Sequence, residues 1–106
     1  MRLLVAFGAM LLLAGCAYFL SPERLDARLA AEHPVGSPVA ALERRLAKDG
    51  FRATGGDWRD PEAWPACMEG PPRYGILVVA WLEVCYRSDP SGQIEELRVV
   101  ERGASA

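Results

Sequence analysis

The chain has 106 residues, of which 12 are Lys or Arg and 14 are Asp or Glu, so its formal net charge at pH 7 is −2. This charge excludes the strongly basic surface typical of nucleic-acid binding, and the length allows one small domain. A domain of this size has a marginal core and gains stability from a cross-link.

The N-terminal segment predicts export and lipidation. Arg2 precedes an apolar run of eleven residues, 3–13, which is long enough for a signal peptide but short for a membrane-spanning helix. The sequence Leu-Ala-Gly-Cys at 13–16 resembles the lipobox of bacterial lipoproteins at all four positions. In that family the cysteine becomes the first residue of the mature protein and carries acyl chains, which implies that Cys16 is the lipid attachment site.

This resemblance divides the chain. It implies a signal peptide at 1–15 and a lipidated N-terminus with a short tether at 16–21, anchored stably by several acyl chains. The alternative is an uncleaved transmembrane helix, because residues 3–20 carry no formal charge. Ala17 follows the cysteine at the position where the family's inner-membrane proteins have Asp. We therefore expect a lipoprotein that faces the periplasm and is anchored in the outer membrane, with the inner membrane as the less favoured alternative.

Two cysteines remain once Cys16 is assigned to lipid, namely Cys67 and Cys85. In an oxidising compartment such a pair in a small domain should form a disulfide. The closed loop of about 19 residues would be worth on the order of 3 kcal/mol. Two buried free thiols or a redox pair are the alternatives, although the redox spacing Cys-x-x-Cys does not occur.

Two helices are predicted in the first half of the remaining chain. Ser21 and Pro22 are typical of a helix start, and Pro34 ends this first helix. The second helix opens at Ser37 and Pro38. Its apolar stripe is Val39, Leu42 and Leu46, and its stop signals are Gly50 and Phe51.

The second half is predicted to be rich in strands. A short strand at 51–54 precedes an irregular, proline-rich loop at 54–75, and a long strand covers 74–87. A hairpin loop at 88–92 leads into a return strand at 93–102, with a bulge or late start.

The order of these elements predicts the fold class. We expect an α+β fold in which two N-terminal helices pack on a small antiparallel β-sheet or hairpin, forming a single periplasmic domain over 22–102. Residues 103–106 are predicted to be a disordered tail.

A weaker resemblance covers roughly residues 34–101. It is carried by Gly36 and Ser37, an amphipathic helix with Leu42 and Leu46, Gly50, and a meander that ends in a strand pair. In this combination the chain resembles the SmpA/OmlA-type (BamE-like) outer-membrane lipoproteins. That family has the β-lactamase-inhibitor-like fold. The resemblance implies an α+β architecture and a role in outer-membrane assembly or integrity, and it assigns no functional residue to this chain.

Trp58, Trp64 and Met68 are the candidate partner-binding residues, because Trp is enriched at interaction hot spots and a loop held near Cys67 would be preorganised. The alternative is that both tryptophan rings fold back and cap the small sheet.

The residues do not suggest a catalytic set. His33 is the one histidine, which favours a capping or surface role. Asp57, Asp60 and Glu62 form an acidic cluster that we interpret as a solvated loop, with a sugar cleft as the alternative. We therefore expect no enzyme, no metal and no cofactor.

The combined interpretation is a non-enzymatic envelope lipoprotein that is anchored in the bilayer by its acyl chains and binds a protein partner in the periplasm. The alternative is an inhibitor-type module that blocks a hydrolase.

Overall fold

The computed structural model describes residues 21–105, and in this part of the chain two helices are followed by five strands. The helices are α1 (Pro22–Glu32) and α2 (Val39–Lys48). The strands are β1 (Arg52–Gly55), β2 (Ala66–Glu69), β3 (Arg73–Gly75), β4 (Val78–Ser88) and β5 (Ile94–Ser105). All strand pairs are antiparallel, which confirms the α+β class.

Helix α1 begins as predicted. The Ser21 side chain accepts a hydrogen bond from the Arg24 N–H at 3.3 Å, and Pro22 is the first helical residue, where its missing N–H costs nothing. The helix ends at Glu32, one residue before the His33 cap.

Helix α2 begins one residue later than predicted and ends as predicted. Pro38 occupies the N-cap, while the Ser37 hydroxyl donates to the Pro34 carbonyl at 2.5 Å instead of capping the helix. At the other end Gly50 adopts φ +91°, and the Phe51 N–H donates to the Leu46 carbonyl at 2.9 Å. With the Gly50 N–H, which donates to the Ala47 carbonyl at 3.1 Å, this bond forms a Schellman stop, which glycine permits without a Cβ clash.

Strand β4 is the centre of the sheet. Strand β5 pairs along one side of β4 from Val78 to Ser88, and β2 and β3 share the other side. Strand β1 lies outside β2. The register shifts between Arg87 and Ser88, which confirms the predicted irregularity at the hairpin.

The core lies between the helices and one face of the sheet. Leu42 and Leu46 of α2 are fully buried, and Val84 of β4 is fully buried against the same cluster. Burial of one such side chain is worth about 1.5–3 kcal/mol. The Tyr86 hydroxyl donates to the Glu43 carboxylate at 2.8 Å, so the polar end of this buried ring is satisfied. The remaining buried members are Leu25, Leu29, Met68, Leu82 and Ile94.

Two strand predictions were wrong. The segment 54–75 is not irregular throughout, because it contains β2 and β3. The predicted strand 74–87 is broken by a two-residue turn at Ile76 and Leu77, so that Tyr74 pairs with Val79 across a tight hairpin.

The predicted disordered tail was also wrong for residues 103–105. Gly103 pairs with Ala80 and Ala104 with Val79, so β5 continues to Ser105. The strand continues because β4 is long enough to offer it backbone partners to the end. Ala106 is outside the described residues.

The predictions for the signal peptide at 1–15, Cys16 and the tether before Ser21 also fall outside the described residues and stay predictions. Within 21–105, neither helix has the length and hydropathy needed to cross a bilayer.

Candidate functional site

The candidate site is the loop of residues 56–65, here called the tryptophan loop, together with the sheet face beneath it. Leu97 and Val99 of β5 pack against the core, and Arg98 between them points to the opposite face because side chains alternate along a strand. Arg98 pairs in register with Cys85 of β4, so the disulfide lies on this same outer face.

The backbone of the tryptophan loop is fixed by its own hydrogen bonds. The Asp57 N–H donates to the Trp64 carbonyl at 2.9 Å, and the Trp64 N–H donates to the Asp60 carbonyl at 3.0 Å. The Ala63 N–H donates to the Asp60 carboxylate at 3.3 Å. At Gly56 a Cβ would lie 2.9 Å from the Trp64 carbonyl oxygen, so this close approach requires glycine. These contacts within the chain restrict the backbone of the loop without the help of a partner.

Asp57 fastens this loop to the sheet. It is only 5% exposed, and its carboxylate forms ion pairs with Arg98 and, at 3.6 Å, with Arg102. The Arg59 backbone N–H, which donates to Asp57 Oδ1 at 3.0 Å, and then the Arg98 guanidinium hold the pKa of Asp57 below its usual value, against the opposing effect of burial.

The interpretation of the acidic cluster as a solvated loop was therefore wrong at Asp57 and holds for the exposed residues Asp60 and Glu62. A carboxylate fully engaged by two guanidinium groups is a structural anchor, because its charge is already compensated. Asp60 in turn accepts a backbone hydrogen bond within the loop.

The two tryptophans of the loop have different surroundings. The Arg98 guanidinium lies 4.5 Å from the centroid of the Trp64 ring, which is partly buried on the sheet. Trp58 is 79% exposed, and its only cation–π neighbour in the described chain is the adjacent Arg59 at 4.3 Å. Trp64 thus caps the sheet, as the alternative interpretation expected, whereas Trp58 presents its ring to solvent.

The Cys67–Cys85 disulfide is present, which confirms the sequence prediction. Both residues are buried, lie directly opposite each other on β2 and β4, and have Cα atoms 4.0 Å apart. Cys67 lies in a strand and not in the loop, so the disulfide joins two strands beside the loop. Glu83 lies near both sulfurs, but sulfurs bonded to each other do not offer thiolates to a metal.

Met68 does not belong to a binding surface. It is 5% exposed and lies in the hydrophobic core on the helix side of β2. Its neighbour Cys67 points to the outer face, so the alternation of β2 sends Met68 inward. Met68 is therefore not accessible to a partner in this structure, whereas Trp58 is.

Sequence reasoning missed an exposed apolar turn between β3 and β4. Ile76 and Leu77 form this turn, and both are largely exposed. The signal in the sequence is a run without acidic or basic side chains at 74–82. Continuous apolar segments are typical of central strands, so this run predicts one long strand instead of a turn.

Comparisons with protein families, with curated proteins and with solved structures find no match to this chain.

Proposed function

We propose that this chain is a non-enzymatic envelope lipoprotein that binds a protein partner in the periplasm, with Trp58 at the centre of the contact. Cys16 would carry the acyl chains that hold it in the membrane. The resemblance to BamE-like lipoproteins adds to this proposal a role in outer-membrane assembly or integrity.

The observation that supports the proposal most strongly is the contrast between Trp58 and its loop. The ring is largely exposed, while the backbone around it is fixed by hydrogen bonds and by the Asp57 ion pairs. A large aromatic ring on a fixed loop buries much apolar area on binding and loses little conformational entropy. This combination is typical of an anchoring residue in an interface.

A partner-capture experiment tests the proposal. The full chain would be purified from membranes with a C-terminal tag and used to capture proteins from solubilised envelopes. Trp58→Ala should weaken capture of the specific partner at least about tenfold, the loss expected for an interface hot spot. Val35→Ala is the matched control, because Val35 is also an exposed apolar side chain but lies in the linker between the helices.

Equal capture by the Trp58→Ala and Val35→Ala variants would contradict the proposed contact. Recovery of no protein that is specific to this chain would contradict partner binding as a whole.

The inhibitor alternative is supported by the same fixed loop, because a preorganised loop with a protruding ring can occupy the cleft of a hydrolase. Periplasmic hydrolase activity measured with and without the purified chain separates the two functions. Inhibition that Trp58→Ala abolishes would support the inhibitor, and a captured partner that lacks hydrolase activity would support the first proposal.

A further inference from the structure

The hairpin between β3 and β4 ends in an apolar tip made of Tyr74, Ile76, Leu77 and Val78. These four side chains are 81%, 92%, 72% and 52% exposed, respectively. Contiguous apolar side chains with such exposure mark interaction surfaces in soluble domains, where single exposed hydrophobic residues are ordinary. The tip is therefore a candidate interaction surface.

The backbone of the tip supports a function for its side chains. Leu77 adopts φ +63°, which is the only positive φ at a non-glycine residue in the described chain. Turns of two residues that need positive φ usually use glycine or asparagine, because a side chain disfavours this conformation. At the tip a large apolar group occupies a strained position, and such strain is typical of functional sites.

The tip belongs to an uncharged end of the sheet. No Lys, Arg, Asp or Glu occurs between Arg73 and Glu83. Across β4 from the tip, the backbone of β5 pairs through Gly103, Ala104 and Ser105, so this edge carries no acidic or basic residue either. Behind this end a groove of about 640 Å³ is lined by Arg28, Lys48 and Arg73 and also by the Arg45–Asp49 ion pair, so its lining has an excess of cationic side chains.

Helix α1, the first element of the domain, begins toward this same end of the sheet. At the far end of the sheet, after α1, the Gly36 N–H donates to the Ile94 carbonyl at 2.8 Å. One turn into α1, Leu25 lines the groove with Leu82 and Arg73, near the tip. Helix α1 therefore runs along the sheet with its start, at Ser21, toward the tip.

We propose that the hairpin tip inserts into the interfacial region of the lipid bilayer to which Cys16 anchors the chain. This inference rests on the lipid anchor of the proposed function. The five residues from Cys16 to Ser21 can span about 17 Å when extended. From Leu82 in the groove, strand β4 extends about 13 Å to Val78, and the turn lies beyond. An anchored domain can therefore place its tip on the membrane.

The chemistry of the tip fits a bilayer. A tyrosine and three aliphatic side chains suit the boundary between headgroups and acyl chains, where an aromatic hydroxyl stays hydrated. The cations of the groove, set back from the tip, would lie at the level of the lipid phosphates. Acyl chains at the N-terminus and an apolar tip at the same end would give the domain two points of attachment and one orientation.

Site-directed fluorescence tests this proposal. Ile76→Cys in the full chain, purified from membranes, would be labelled with an environment-sensitive fluorophore and reconstituted into phosphatidylcholine vesicles, with or without an anionic phospholipid. Cys67 and Cys85 do not react because they form the disulfide. We expect lipid-borne nitroxides to quench this label several-fold more than a label at Gln93→Cys, an exposed position at the opposite end of the sheet.

A second variant separates the tip from the anchor. Ile76→Thr keeps a β-branched residue, and Leu77→Asn introduces a residue that tolerates the positive φ of this position, so the hairpin should persist. A label at Tyr74→Cys should lose most of its nitroxide quenching in this background, while the chain still floats with the vesicles. Unchanged quenching would overturn the proposal.

The other outcomes are distinct. A chain that floats with vesicles but shows equal quenching at positions 76 and 93 overturns the membrane-bound tip and leaves the lipoprotein proposal intact. A chain that does not float overturns both. Self-quenching at position 76 that grows with protein density, without nitroxide quenching, would assign the tip to a second copy of the chain and overturn the proposal.

Discussion

Asp57 and Arg98 form an ion pair that joins the tryptophan loop to the last strand of the sheet, across 41 residues of sequence. Arg98 also lies over the Trp64 ring, so one guanidinium group contacts both the Asp57 carboxylate and the Trp64 ring of the loop. The position of Trp58 on the surface therefore depends on contacts with β5, a strand distant from the loop in the sequence.

The Asp57 anchor should make stability depend on pH. Because the folded state lowers the pKa of Asp57, its stabilisation is complete above the ordinary Asp value of about 3.9 and is lost as the pH falls through the lower folded-state pKa. Asp57→Asn keeps an acceptor for the Arg59 N–H but removes the charge. The difference in Tm between the unmodified chain and this variant should be largest near pH 7 and shrink below about pH 4.

The control for this prediction is Glu62→Gln, which removes a charge from an exposed position of the same loop. Its Tm should follow that of the unmodified chain at every pH. An Asp57→Asn difference that stays constant down to acidic pH would show that the ion pairs do not stabilise the loop.

The two loop tryptophans should differ in their contribution to stability. Trp58→Ala should change the free energy of unfolding by no more than about 0.5 kcal/mol, because the ring is exposed. Trp64→Ala should cost about 1–2 kcal/mol, because it removes the cation–π contact with Arg98 and apolar packing on the sheet. Urea titrations of both variants measure this difference, and equal losses would contradict the assignment of Trp64 to the sheet and Trp58 to the surface.

The disulfide should contribute a large share of the stability. Replacing both Cys67 and Cys85 with Ala should lower the free energy of unfolding by about 3 kcal/mol, because the unfolded chain loses its cross-link. Reduction of the unmodified chain should give a comparable loss in a chemical denaturation experiment. A loss below about 1 kcal/mol would show that the pairing of β2 with β4 is sufficient without the cross-link.

The mature N-terminus should be a lipidated Cys16. Mass spectrometry of the protein recovered from membranes should show residues 1–15 removed and the mass of acyl groups on this cysteine. Cys16→Ser should abolish both processing and membrane retention by acyl chains. An unmodified Cys16 with residues 1–15 still attached would instead support the uncleaved transmembrane helix.

Local signals made the helices predictable. The Ser21 cap, the proline at the first helical position and the glycine stop at Gly50 each act within one turn, so the sequence alone contains the information. The disulfide was predictable for a different reason, because two cysteines remained after the lipobox was assigned.

Elements that depend on distant partners were not predictable. Strands β2 and β3 are only four and three residues long, stand among prolines, and are stabilised by β4. The turn at Ile76 and Leu77 lacks the glycine or asparagine that marks such turns, so its sequence resembled an uninterrupted strand. The role of Asp57 required Arg98 on β5, and a charged loop residue is ordinarily solvated.

The central claim is that Trp58 contacts a protein partner in the envelope. The most direct test places a photo-activated cross-linking amino acid at position 58 of the full chain in living cells, with the same group at the exposed position 35 as the control. We expect a discrete cross-linked species from position 58 that is missing from position 35. Absence of any species specific to position 58, in a chain that reaches the membrane and keeps its disulfide, would contradict the claim.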